Sequence, residues 1–427
     1  VVLVDGLAAE RPVDQPGSGA SCAGRAATDG QSATRTVRFA QFSARPMGAL
    51  ARRSLKTANR GIVRLRRQRP TPRARCIAQR ECIATEECRE MSSQHWLVTG
   101  GLGFIGSAFV RSTLRDRPDV DVTVLDAITY AGNPANLASI ENDPRYRFVK
   151  GNICDRRAVD AAIGSHVDAI VNFAAETHVD RSILDPEAFL HTDILGTHVL
   201  LEAVRAHRVA RYLQVSTDEV YGHVAAGSSV ETDAVAPRSP YAASKAGGDL
   251  QVLAYRTTYD TPVLITRGSN TYGPYQYPEK LIPLFITNLL DDQTVPVYGD
   301  GRQVRDWLHV DDHARGIRHV LEHGTLGEAY NIGGGNLRTN RAITEQLVAH
   351  TGRSWETHVR HVVDRPGHDR RYSLDSSKLR ALGWEPQVEF SAGLAETVAW
   401  YRSNDAWWRK TKSGEFAAYY ARQYAGR

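Results

Sequence analysis

Five groups that can move protons fall within residues 216–245: the hydroxyl of Thr217, the adjacent carboxylates of Asp218 and Glu219, the phenol of Tyr241 and the amine of Lys245. The apolar run Tyr212-Leu213-Gln214-Val215 predicts a buried strand with Thr217, Asp218 and Glu219 at its C-terminal end. In open parallel sheets that edge is where ligands bind. Ser239-Pro240 predicts a helix start, a hydroxyl N-cap followed by proline at the first helical position. Tyr241 and Lys245 then lie one turn apart on one face. An ammonium beside a phenol should draw its pKa below the usual value of about 10, making Tyr241 a general base. Taken singly, a Tyr-x-x-x-Lys pair reads as a half-buried tyrosine with a solvated lysine, and an Asp-Glu pair as two solvated acids. At the edge of a nucleotide-binding sheet both pairs face the crevice. Redox chemistry needs Tyr241 alone, so the two acids point to further proton transfers such as an elimination.

The elements that must position these groups are legible upstream. Gly100, Gly103 and Gly106 follow the apolar run Trp96-Leu97-Val98-Thr99 and precede helical spacing over residues 107–114. Such glycines permit a tight turn and close backbone approach, and the helix N-terminus attracts a pyrophosphate. Asp126 ends the next predicted strand, where a carboxylate would hold a ribose diol and favour NAD over NADP. Further strands are expected at Arg147-Phe148-Val149-Lys150, at Ala169-Ile170-Val171-Asn172-Phe173 and at Val263-Leu264-Ile265-Thr266. Strands alternating with helices imply right-handed crossovers and a doubly wound, Rossmann-like parallel sheet. Beyond residue 270 the pattern loosens around Pro274, Pro278, Pro283 and Pro296. The expectation is a NAD-binding α/β domain over 91–269 and a smaller, mixed substrate-binding part over 270–427. A segment at Tyr330-Asn331-Ile332 is a candidate to return to the sheet.

Composition bounds the rest. Residues 1–90 carry 17 Lys and Arg against 8 Asp and Glu, which leaves 36 against 40 for the remainder. The net charge of +5 is thus a property of the N-terminal stretch and says nothing of the main domain's partners. An Arg-rich arm can bind nucleic acid or act as a targeting peptide. The plainer reading takes Met91 as the natural start and the preceding residues as translated upstream sequence. Cys154 is the single cysteine after residue 90, so no disulfide framework is expected, in keeping with a reducing cytoplasm. No apolar run approaches the roughly 18 residues of a membrane span.

Together these residues resemble the extended short-chain dehydrogenase/reductase family, and within it the 4,6-dehydratases of dTDP-glucose. The resemblance also rests on Asp126-Ala127-Ile128-Thr129-Tyr130-Ala131-Gly132-Asn133, Asn172-Phe173-Ala174-Ala175-Glu176-Thr177-His178-Val179-Asp180-Arg181-Ser182, Tyr272-Gly273-Pro274-Tyr275-Gln276 and Asp364-Arg365-Pro366-Gly367-His368-Asp369. Related epimerases lack the Asp-Glu pair, which makes Thr217-Asp218-Glu219 the most diagnostic run. The resemblance implies a homodimeric, cytoplasmic, metal-free enzyme that binds NAD and a nucleotide sugar, and neither nucleic acid nor membrane. It implies that Tyr241 takes the proton of the sugar 4-hydroxyl, held by Thr217, and that Lys245 bonds the nicotinamide ribose. Glu219 would then remove the C5 proton and protonated Asp218 would donate to the leaving 6-hydroxyl. NAD contacts carry over to Gly100, Gly103, Phe104, Ile105, Gly106, Asp126, Ala127, Ile128, Thr129, Asn152, Ile153, Ala174, Ala175, Thr192, Tyr241, Lys245 and Thr271. Sugar-nucleotide contacts carry over to His178, Thr217, Asn270, Glu279, Lys280, Arg305, Asn331, Arg365 and His368. Three positions depart from the family pattern: Asn152 stands for a common Asp, Thr271 for a usual Asn, and Gly268 for Cys or another larger residue. The same chemistry on UDP-glucose, C4 epimerisation of a UDP-sugar, and a non-catalytic NAD-sensing protein are the competing readings.

Overall fold

Thr99 at the end of one strand and Asn172 at the end of its neighbour are joined by a 2.6 Å hydrogen bond across the point where the main sheet reverses its strand order. The computed structural model describes residues 93–424, so the expectations for residues 1–90 lie outside the described part. In chain order the strands are β1 (Gln94–Thr99), β2 (Val120–Asp126), β3 (Tyr146–Lys150), β4 (Ala169–Asn172), β5 (Arg211–Thr217) and β6 (Val263–Gly268). There follow β7 (Asn270–Tyr272), β8 (Val295–Tyr298), β9 (Val304–His309), β10 (Ala329–Ile332), β11 (Leu337–Thr339) and β12 (Val359–Val362). The longer helices are α1 (Phe104–Asp116), α2 (Arg156–Ile163), α3 (Thr197–His207), α4 (Pro240–Tyr259), α5 (Leu281–Leu290), α6 (Val310–His323), α7 (Asn340–Thr351), α8 (Phe390–Ser403) and α9 (Glu415–Tyr424).

Seven strands form one sheet in the order β10-β6-β5-β4-β1-β2-β3, every pairing parallel. This is the doubly wound arrangement expected from the alternation of strands and helices, and the crevice above β1 and β4 is its switch point. Each strand read from the sequence is present, and the Tyr330 segment does rejoin the sheet as β10, beside β6. Helix α1 starts at Phe104, one turn before the spacing in the sequence had indicated, because Gly103 is already its N-cap.

A parallel sheet must be covered on both faces. Residues of α1 and α6, such as Phe109 and Ile317, pack on one face; residues of α2, α3 and α4, such as Ile163, Leu200 and Val252, pack on the other. Each such large apolar side chain, fully buried, contributes roughly 1.5–3 kcal/mol. A buried polar ladder runs across the strands beneath the crevice. Thr99 bonds Asn172, and Asn172 donates to Gln214 on β5 at 2.9 Å. Satisfied polar groups of this kind hold neighbouring strands in one register. A separate core, from Tyr272 to Phe416, packs α5, α7 and α8 beside a β11-β9-β7 sheet and a β12-β8 pair.

Candidate active site

Above the C-terminal ends of β1, β2, β4 and β5 lies a cleft of about 300 Å³. Gly100, with φ +67°, closes the turn after β1; a Cβ there would stand 2.5 Å from the Ala174 nitrogen. At Gly106 a Cβ would meet the Gly100 carbonyl oxygen at 2.4 Å. These two positions need glycine, because the β1 turn, the end of β4 and the start of α1 touch through backbone. No side chain caps α1, and Gly103, Phe104, Ile105 and Gly106 line the cleft, so its first N–H groups are left for an anion. Asp126 accepts from the N–H of Leu102 at 3.0 Å and of Ile128 at 2.8 Å, which fixes its carboxylate at the cleft wall. Burial holds that carboxyl above its ordinary range, against those two bonds. An unsatisfied helix start followed by an anchored carboxylate fits the pyrophosphate and ribose of a dinucleotide.

Ala127, Thr129, Asn152, Ile153, Ala174, Ala175, Thr192, Tyr241, Lys245 and Thr271 line the same cleft. Ile128 does not: its N–H is taken by Asp126 and its backbone is left-handed at φ 55°. The Asn152 side-chain amide oxygen accepts from the Cys154 N–H at 2.8 Å, so the amide NH₂ is the part left for a ligand. The Thr271 hydroxyl is engaged within the protein, by the Ser269 carbonyl and by His313.

Strand β5 ends at Thr217, whose hydroxyl caps the short 3₁₀ turn Asp218–Tyr221 by accepting from the Glu219 N–H at 3.3 Å. That turn swings both carboxylates into the cleft. Asp218 is 4 % exposed, and burial, then the neighbouring Glu219, push its carboxyl well above the ordinary range; Arg305 and Thr217 pull the other way. Its Oδ2 is buried with no partner. Glu219 is half-buried, with the Tyr372 hydroxyl 3.5 Å from Oε2 and bonded to Asp369 at 2.7 Å. Helix α4 begins as expected: Ser239 accepts from the Ala242 N–H at 3.1 Å and Pro240 takes the first position. Tyr241 and Lys245 share its buried face.

The expected acidification of Tyr241 is reversed in this geometry. The Lys245 ammonium donates to the Val215 carbonyl at 2.8 Å. Burial, then Glu219 and Asp193, hold the phenol well above its usual value, with a hydrogen bond to Thr217 opposing them. Two acids that sequence reasoning passed over stand nearby. Burial, then Asp193, raise Glu176 to about 7, and burial raises Asp193 to about 6. Asp193 accepts from Ser244 at 2.6 Å and from the Glu176 N–H at 3.2 Å.

A second cavity of about 160 Å³ adjoins the first and shares Glu219, Asn270, Thr271, Gln276, Glu279 and Lys280 with it. His178, Arg305, Arg365 and His368 complete the predicted set there. Three cations, buried Arg305 and half-buried Lys280 and Arg365, suit a diphosphate. Lys280 donates to the Thr177 carbonyl, and Arg305 lies 4.3 Å over the Tyr372 ring and donates to the Asp369 carbonyl at 3.0 Å. His178 is buried and pushed well below its usual value by burial, then by Lys280 and Arg365, so its ring is neutral. The Glu279 carboxylate is held by Arg181 at 2.9 Å and by the Tyr130 hydroxyl at 3.1 Å.

Asn331 is a correction. It is 0 % exposed and outside both cavities, accepting from the Tyr221 hydroxyl at 2.9 Å and donating to the Ser229 carbonyl at 3.0 Å. Its place on β10 puts it under the Asp218–Tyr221 turn, where it supports the site from below.

Residues 97–397 match the family model described as GDP-mannose 4,6 dehydratase. The dTDP-glucose 4,6-dehydratase of Streptomyces niveus is 56% identical over 326 residues, spanning 75% of this chain and 96% of that protein. This chain belongs to the dTDP-glucose 4,6-dehydratase family, within the extended short-chain dehydrogenases/reductases. Among solved structures, the dTDP-glucose 4,6-dehydratase of Streptomyces venezuelae, with NAD and dTDP bound, is 55% identical with a TM-score of 0.73, covering 75% of this chain and 100% of that one. The UDP-glucose 4-epimerase of Thermus thermophilus, in complex with NAD, has the same fold at 31% identity and a TM-score of 0.67, over 73% and 100% of the two chains. The dehydratase likeness therefore exceeds the likeness in fold shared with the epimerase. Among the described residues no helix is long and apolar enough to cross a membrane.

Proposed function

We propose that the chain converts dTDP-D-glucose into dTDP-4-keto-6-deoxy-D-glucose and water, with NAD held throughout. The observation that carries the reading is the Asp218-Glu219 pair at the end of β5. One carboxyl is buried and biased toward its protonated form, and its neighbour is half-buried at the junction of the two cavities. Like charges side by side favour opposite protonation states, which is what an acid and a base acting on adjacent carbons require.

Tyr241 takes the proton of the sugar 4-hydroxyl, and Thr217 bonds that oxygen. Bound NAD would supply the hydride acceptor for C4 and the hydride for C6, and its positive ring would favour the Tyr241 phenolate. Once C4 is a ketone the C5 proton is acidic, and Glu219 removes it. Asp218 donates its proton to the departing 6-hydroxyl, so one water leaves and an enone remains. A proton returned to C5 completes the product. Gly100, Gly103, Gly106, Phe104 and Ile105 hold the pyrophosphate, Asp126 the adenosine ribose, and Lys245 the nicotinamide ribose. Residues 270–427 mainly serve the sugar nucleotide, with Lys280, Arg305 and Arg365 on its diphosphate.

We read the enzyme as cytoplasmic and homodimeric. Supporting the dimer, Leu190, Leu195 and Leu250 are 52%, 43% and 54% exposed on segments that pack beside one another. The test incubates purified protein separately with dTDP-glucose, UDP-glucose and UDP-galactose, without added NAD. A 4-keto product absorbing in alkali, chiefly from dTDP-glucose, is expected. No product from any of them, even after NAD is supplied, overturns the assignment.

A further inference from the structure

His368, on the loop after β12, lines the second cavity, and its side chain is 5% exposed. Its Nδ1 stands 2.6 Å from the Asp364 Oδ1. Asp364 is itself held, accepting from the Arg365 N–H at 2.8 Å through Oδ1 and from Gln303 Nε2 at 2.8 Å through Oδ2. Against burial, the bond from His368 and these two keep its carboxyl below the ordinary range, so it is ionised and can only accept. The proton on His368 Nδ1 is therefore fixed. Nε2 has no partner among the described residues, is not sealed in the interior, and is the ring nitrogen left for the cavity.

The surroundings of that nitrogen are cationic. Arg365, held by Asp180 at 3.8 Å, comes from the same loop, and Arg305 reaches in from β9. The Tyr298 ring of β8 packs edge-on at 6.1 Å, and Lys280 and Glu219 line the same cavity. Burial, then Arg365 and Arg305, push the imidazole below its ordinary range against the pull of Asp364, so the ring is neutral at ordinary pH. A neutral ring protonated at Nδ1 presents a lone pair at Nε2. That lone pair repels a phosphate oxygen, whereas an imidazolium N–H makes a charge-assisted bond to it. A diphosphate also offsets the two guanidinium charges that keep the ring neutral.

We propose that Asp364 is a positioning residue for the sugar nucleotide: it aims His368 Nε2 at the cavity and supplies the counter-charge with which the ring takes up a proton as the diphosphate arrives. The assignment deepens the proposed function and rests on it. The proton comes from solvent and returns there with the product, so nucleotide affinity falls as pH rises, through groups remote from the reacting carbons.

The test titrates purified protein calorimetrically at about pH 7 with the β-methyl ester of dTDP, in two buffers of widely different ionisation enthalpy. The charges of this diester are fixed, whereas a terminal phosphate would itself titrate near a pKa of about 6. The slope of binding enthalpy against buffer ionisation enthalpy counts the protons taken up. Wild type should take up about 0.5–1 proton, and its affinity should fall by up to about tenfold per pH unit above neutrality. His368→Gln and Asp364→Asn should each lose most of that uptake and bind about three- to tenfold more weakly. The Asp364 side chain is 38% exposed, so its amide variant should fold. A merely structural role for Asp364 would lower affinity and leave the proton count as it is. Wild type that binds without uptake, or an uptake unchanged in either variant, overturns the proposal. Wild type that does not bind the diester overturns the nucleotide reading of the cavity, and this assignment with it.

Discussion

Arg267, near the end of β6, donates its Nε to the Asp249 carboxylate at 3.0 Å, and the two side chains are 4% and 1% exposed. Asp249 stands on α4 one turn beyond Lys245 and two beyond Tyr241, and the same guanidinium donates to the Tyr221 hydroxyl at 2.8 Å. One buried ion pair thus ties the helix bearing the phenol to the turn bearing the two carboxylates. Removing one partner strands a charge in the interior, which costs about 3–5 kcal/mol. Asp249→Ala should lose stability of that order in urea unfolding, and the Asp249→Ala, Arg267→Met pair should recover much of it. A loss below about 1 kcal/mol for the single variant would show that the stranded arginine finds water.

Asp218 links chemistry to stability. Its folded pKa lies above the unfolded value of about 3.9, so the stability it contributes is full below that value and is lost as pH rises through the folded pKa. Asp218→Asn removes this penalty. The variant should melt above wild type at about pH 8 and draw level near pH 3. Its turnover should fall by roughly 10²–10⁴-fold, since an amide cannot protonate the leaving hydroxyl. Equal melting temperatures at both pH values would refute the raised carboxyl.

Glu219→Gln should separate oxidation from elimination. The variant should accumulate reduced cofactor on mixing with dTDP-glucose, seen as NADH absorbance, while forming water about 10²–10⁴-fold more slowly. Turnover within a factor of about three of wild type would show that another group removes the C5 proton.

Gly106→Ala probes the cleft from the backbone side. Its Cβ would press on the Gly100 carbonyl at 2.4 Å, and a backbone atom cannot swing aside. Purified variant should carry little dinucleotide and show a much weakened affinity for added NAD. Wild-type retention would mean that α1 can shift as a unit.

Local pattern explains most of what the sequence disclosed. The strands, the glycine turn, Asp126 and the Ser239-Pro240 helix start depend on residues close in the chain, and each is where its spacing implied. What stayed hidden depends on partners far apart. Asn331 looked available, but Tyr221, 110 positions away, claims its side chain. His313 is one of three histidines on an amphipathic helix, without a motif, and its place in the cleft wall shows only beside Thr271, 42 positions earlier. The Tyr241 shift runs against the spacing argument because burial, then Glu219 and Asp193, raise the phenol, while the Lys245 ammonium is taken by the Val215 carbonyl.

The two cavities meet at Glu219, Thr271 and Lys280, so a sugar nucleotide reaching from one into the other would span a doorway between two rooms. A molecule that spans a doorway also shuts it. While such a molecule was in place, it would wall off the inner room from the side by which it arrived. The inner room would reopen only when the finished product departed.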